Sequence, residues 1–167
     1  LVYNLNDISP FEGRTRKIYD RIYEEEESFF VRNSYFLNTL YYRFKTRKIP
    51  EAQNYYSHLR DSYLGEPWQQ QRSILATMLD YCQQNGWKLS VVTFPFVHDI
   101  ENYEHREIHL QLDNFWKSLG VPHLDLLPVF KKYAHEKLRV NRWDAHPNKR
   151  ANQIAAEAIQ RFLHTVL

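Results

Sequence analysis

The 167 residues spell an α/β protein built on a parallel sheet, and two observations carry that reading. Amphipathic helical stretches alternate with short β-rich runs, and the succession helix–glycine–strand occurs twice, at Gly86 and at Gly120. Strands separated by a helix-length crossover return in the same direction, so they pair in parallel as in a doubly wound layer fold. No sequence repeat accompanies this rhythm.

The opening run Leu1-Val2-Tyr3-Asn4-Leu5-Asn6 reads as a short strand, closed by the turn chemistry of Asp7-Ile8-Ser9-Pro10. A charged stretch follows, and its acidic run at residues 24–27 reads as a solvated helix face or loop. Between residues 29 and 64 the chain is rich in Phe and Tyr. Tyr35, Phe36, Leu40 and Phe44 recur at helical spacing, predicting a helix near 34–46 that Ile49-Pro50 breaks. Residues 11–64 are expected to form a helical insertion or lid, their aromatic stripe packing inward or lining an acyl or glycan pocket.

Pro67 suits a helix's first turn, and Ile74, Leu75, Met78, Leu79 and Cys82 mark an apolar face up to Asn85-Gly86. Residues 88–94 form a β-rich run closed by Pro95. A helix is predicted over 102–119, with Ile108, Leu112, Phe115, Trp116 and Leu119 inward. A short strand follows at 121–126 and a short helix at 128–135. Ala151, Ile154, Ala155, Ala158, Ile159, Phe162, Leu163 and Val166 then keep the i, i+3, i+4, i+7 template throughout the final helix.

Composition bounds the function. A net charge of +2 is no footprint for nucleic acid, and Lys45, Arg47 and Lys48 beside aromatics do not make one. No apolar run approaches the ~20 residues of a membrane span. The single cysteine, Cys82, excludes an internal disulfide. The chain opens at Leu1 inside an apolar run, so localisation is not legible. His105 and His109 stand i, i+4 as zinc ligands can, but Arg106 occupies the place a metalloprotease motif gives to Glu. Surface or core histidines are the better reading.

Two places carry chemistry. Asp144-Ala145-His146-Pro147-Asn148 directly precedes the final helix, where α/β folds put reactive groups. The His146 imidazole is the kind of side chain that can take a proton from a hydroxyl and return it to a leaving group. Asp144 could hold the imidazole in one tautomer, and Asn148 could cap the helix. The same residues also suit a plain helix start beside an exposed histidine. The other place is Asn6-Asp7, where a side-chain amide at the end of the first strand could donate to a developing oxyanion or simply turn the chain.

In this order, the run ending in Asn6-Asp7, the strand at 88–95, the stretch Gly120-Val121-Pro122-His123-Leu124-Asp125-Leu126-Leu127-Pro128 and the closing Asp144-Ala145-His146-Pro147-Asn148 resemble the successive blocks of SGNH (GDSL-type) serine hydrolases. The resemblance spans nearly the whole chain and is weakest at 11–64. It implies a flavodoxin-like three-layer α/β/α domain acting on a small-molecule or glycan acyl ester. His146 would be base and then acid, Asp144 its orienting carboxylate and Asn6 an oxyanion donor, with no metal or organic cofactor.

Two departures qualify the likeness. Many family members carry the acid three residues before the histidine, where this chain has Trp143; here the acid is two before, as in a subset of relatives. The Gly-Asp-Ser block is absent, and none of Ser9, Ser28, Ser34, Ser57, Ser62, Ser73, Ser90 and Ser118 sits in a glycine-flanked strand-to-helix elbow. The nucleophilic serine is therefore expected outside these residues, in a preceding segment of ~100 residues or a second chain that completes the sheet. Without it, the first strand would be a bare apolar edge. The rival expectations are a binding domain that kept the fold and lost the chemistry, and a fragment of a carbohydrate acyltransferase.

Overall fold

A computed structural model describes residues 1–8, 20–22, 28–49 and 55–166. The acidic run at 24–27, Ser9, Pro10 and Pro50 lie outside them. The chain divides into two units, one formed by Leu1–Asp7 with Ile74–Leu167, the other by Ile8–Ser73.

The first unit is α/β and holds a three-stranded parallel sheet. Its strands are β1 (Val2–Asn4), β2 (Val91–Phe94) and β3 (His123–Asp125), in the order β1-β2-β3. Val92 lies opposite Val2 on one side and Leu124 on the other, so β2 is the central strand. Its Val91, Val92 and Thr93 are all buried, as a strand covered on both faces demands.

Each strand is shorter than its β-rich run, and the first shows why. The Asp7 carboxylate accepts the Asn4 amide across 2.7 Å, offering the backbone a local partner in place of a ladder. Leu5–Asp7 consequently curl into a 3-10 turn.

Both glycine junctions behave as the sequence suggests. Gly86 and Gly120 take φ of 69° and 66°, where only glycine is unstrained. At the first, Gly86 N–H donates to Gln83 O and Trp87 N–H to Cys82 O. At the second, Gly120 N–H donates to Lys117 O and Val121 N–H to Trp116 O. This paired closure satisfies helix-end carbonyls and turns the chain toward the next strand.

The junctions end α4 (Glu66–Gln84) and α5 (Arg106–Ser118), the numbers α1–α3 belonging to the other unit. On α5, Ile108, Leu112, Phe115 and Trp116 are buried as predicted, and His109 is buried with them. Leu119 is half-buried, and Ile74 of α4, expected inward, is exposed. After β3 come α6 (Leu127–Lys131), with Pro128 in its first turn, and α7 (Lys149–Val166). Ala151, Ile154, Ala155 and Ala158 of α7 are buried, whereas its last turns are more exposed.

The second unit holds α1 (Phe29–Arg32), α2 (Tyr35–Arg47), α3 (Tyr55–Leu64) and the start of α4. Ser28 and Ser34 cap the first two helices through their hydroxyls. The aromatic stripe divides: Tyr63 is buried with its ring 5.5 Å from that of Trp68, while Phe29, Phe30, Tyr35, Phe36 and Phe44 stand in solvent. Inward packing therefore holds for only part of the stripe. Among the described residues no helix is long and apolar enough to cross a membrane.

Candidate active site

The parallel sheet presents its strand ends in one direction, and the chain beyond the end of β2 builds a cavity. Residues 97–101 and 134–142 enclose ≈580 Å³, within the ~300–1,000 Å³ of small-molecule sites. Crevices outside the carboxyl ends of strands are where open α/β sheets bind ligands. His98, Asp99 and Glu101 line it from the β2 exit, and Lys137, Arg139 and Arg142 from the other segment.

That other segment leads into a hairpin held at every turn. Val140 N–H donates to His146 O across 3.0 Å, and Asn141 N–H to Asp144 O across 3.2 Å. The Asn141 side-chain oxygen accepts from Trp143 N–H and Asp144 N–H. At its base, Asn148 Nδ2 donates to the carbonyls of Lys137 and Arg139, while its Oδ1 caps α7 by accepting from Ala151 N–H. The cap expected of Asn148 is thus present, and the same amide also ties the hairpin's two ends together.

Asp144 and His146 project from this frame. The Asp144 Oδ1 accepts from His146 Nδ1 across 2.6 Å and from the His146 backbone N–H across 3.0 Å. These bonds hold the Asp144 carboxyl below the usual carboxylate range, the backbone amide contributing most and the ring next. A carboxylate only accepts, so Nδ1 carries a proton, and in the neutral ring the lone pair sits on Nε2. Nε2 makes no hydrogen bond among the described residues, and the His146 side chain is 88% exposed. The dyad is a proton acceptor already set in one tautomer and open to solvent.

Asn6 lies in the 3-10 turn that follows the carboxyl end of β1, with its side chain exposed. The structure joins Asp144 to His146 but makes no hydrogen bond from Asn6 to either, among the described residues. The described serines keep to helices and helix caps, apart from Ser90, which precedes β2. Ser62 and Ser118 donate to His58 O and Phe115 O.

Two relays through buried histidines escaped the sequence reading. In one, Asp125 Oδ1 accepts from His109 Nδ1 across 2.7 Å, and His109 Nε2 meets the Tyr103 hydroxyl at 2.8 Å. Tyr103 in turn accepts from Phe96 N–H, at the base of the cavity loop. In the other, Asp113 Oδ1 accepts from His123 Nδ1 at 3.0 Å, and His123 Nε2 meets the Thr93 hydroxyl at 2.8 Å. His109 is therefore a core histidine with both nitrogens engaged. Its place among Ile108, Leu112, Phe115 and Trp116 on one helical face was the signal for burial. Its carboxylate partner, 16 residues away, gave none.

Burial holds His98, at the cavity wall, below the ordinary imidazole value; Asp99 opposes that shift and Arg139 reinforces it. Among the described residues no group of three or more His, Cys, Asp or Glu side chains is placed to hold a metal ion. No family model, curated protein or solved structure matches the chain.

Proposed function

We propose that this chain supplies the acid–base half of an SGNH-type acyl-ester hydrolase or acyltransferase, with the nucleophilic serine contributed from outside these residues. The parallel sheet would then be one part of a flavodoxin-like three-layer domain. One observation carries the reading: the Asp144–His146 pair, locked by two hydrogen bonds, with Nε2 open.

The serine hydroxyl gives its proton to His146 Nε2 as its oxygen attacks the ester carbonyl, and Asp144 stabilises the imidazolium that forms. The tetrahedral oxyanion takes the Asn6 amide and backbone N–H groups as donors. His146 then returns the proton to the departing alkoxide, leaving an acyl-enzyme. Water or an acceptor hydroxyl, deprotonated by the same nitrogen, releases the acyl group. Hydrolysis and transfer differ only in that last nucleophile.

The test uses the intact protein with a short activated ester and a fluorophosphonate probe. Ester turnover and serine labelling are expected, and His146→Ala should lower kcat by about 10³-fold or more. Indifference to both the probe and the substitution would instead favour a binding domain without chemistry, a reading that the exposure of the His146 ring also suits.

A further inference from the structure

We infer that the cavity lined by the first strand of the dyad's hairpin is an anion site, taking a carboxylate, sulfate or phosphate group carried on the alcohol side of the ester through Lys137, Arg139 and Arg142. That the anion is carried on an ester rests on the acyl-ester reading above; anion binding by the cavity does not.

The argument starts from charge. Residues 137–142 read Lys-Leu-Arg-Val-Asn-Arg, so three cations fall within six residues, and all three line the cavity. None of them has an ion-pair partner among the described residues. The Arg142 guanidinium lies 4.3 Å from the centre of the Trp143 ring, a contact that orients it without neutralising it.

Of the three carboxylates that line the cavity, Glu136 is neutralised by a cation, while Asp99 and Glu101 keep their charge on the wall opposite the cations. Glu136 accepts from Arg150 at 2.8 and 3.1 Å. Asp99 accepts from Asn102 N–H at 3.1 Å, closing the turn after the cavity loop. Guanidinium groups bind oxyanions in a forked geometry that ammonium groups lack, and this wall offers two of them.

The link to chemistry is the hairpin. Val140 and Asn141, between the two arginines, donate their backbone N–H groups to the carbonyls of His146 and Asp144. An anion held by Arg139 and Arg142 is thereby placed against the strand that carries the dyad. An ester whose alcohol bears such a group would be anchored by its charge while its carbonyl reaches Nε2.

The test is an amide-shift titration of the full chain at low ionic strength with inorganic phosphate, inorganic sulfate and trigalacturonate, against maltotriose as the neutral control. Saturable shifts at residues 97–101 and 137–142 are expected with at least one anion and none with maltotriose. The probe that binds names the source, phosphate or sulfate for a phospho- or sulfo-carrier and trigalacturonate for a uronate. The triple substitution Lys137→Gln, Arg139→Gln and Arg142→Gln should weaken that binding by about tenfold or more, with an unchanged thermal melt showing that the fold is kept. No response to any anion, an equal response to maltotriose, or an unaltered affinity in a folded triple variant overturns the site. Should ester turnover prove independent of His146 while the anion response persists, the catalytic reading falls and this one stands.

Discussion

At Asp144 one carboxylate oxygen serves two donors from the same residue, the ring and the backbone amide of His146. Ring orientation and local backbone are therefore set together. The folded carboxyl is depressed relative to the unfolded one, so its contribution to stability is present above the unfolded pKa. That contribution is lost as pH falls through the folded value. Carbon-detected NMR should show Asp144 ionised to a lower pH than an isolated aspartate, whose pKa is about 3.9. His146→Ala removes the ring but keeps the amide, the larger cause, so the midpoint should move only part of the way back. A full return, or none, would contradict the division between the two donors.

Among the elements, α7 and the hairpin before it depend on one amide. Asn148 caps the helix through Oδ1 and clamps the hairpin through Nδ2. Asn148→Ala should cost about 1–2 kcal/mol in chemical denaturation, together with faster hydrogen exchange at His146 N–H and Val140 N–H. Asn148→Asp separates the two roles, since it keeps the capping oxygen and deletes the clamp. Its stability should stay near that of the parent while exchange in the hairpin still rises. Equal losses in both variants would place the effect in the clamp rather than the cap.

Across the whole chain, β1 is paired on one side only among the described residues, and Leu1 and Val2 stand 47% and 53% exposed. An apolar edge of this kind invites pairing with another strand. Sedimentation velocity on these 167 residues should show association that grows with concentration and weakens in Val2→Lys. A single monomer at every concentration would oppose it.

The order of elements was legible because helix, glycine and strand each impose distinct local chemistry, and Gly86 and Gly120 fix their junctions by backbone conformation alone. The dyad was legible because its members are two residues apart. Strand ends were not, since Asp7 competes for a ladder donor through its side chain. Nor was the exposure of Phe29, Phe30 and Phe36, because helical spacing names a face without saying whether anything covers it. The cation-lined cavity needs two segments more than thirty positions apart, and neither bears a periodic mark.

The paired inner relays, Asp113–His123–Thr93 and Asp125–His109–Tyr103, constrain how this chain can drift. Each imidazole is pinned in one orientation by an acceptor on one side and a hydroxyl on the other. The His109 and His123 side chains are only 2% and 1% exposed, so removing a carboxylate or hydroxyl partner leaves a buried ring nitrogen unsatisfied. Replacement of either trio is therefore far easier as a concerted swap to apolar residues of matching shape than by single steps. The side of the sheet that joins β2 to β3 is consequently guarded against gradual substitution.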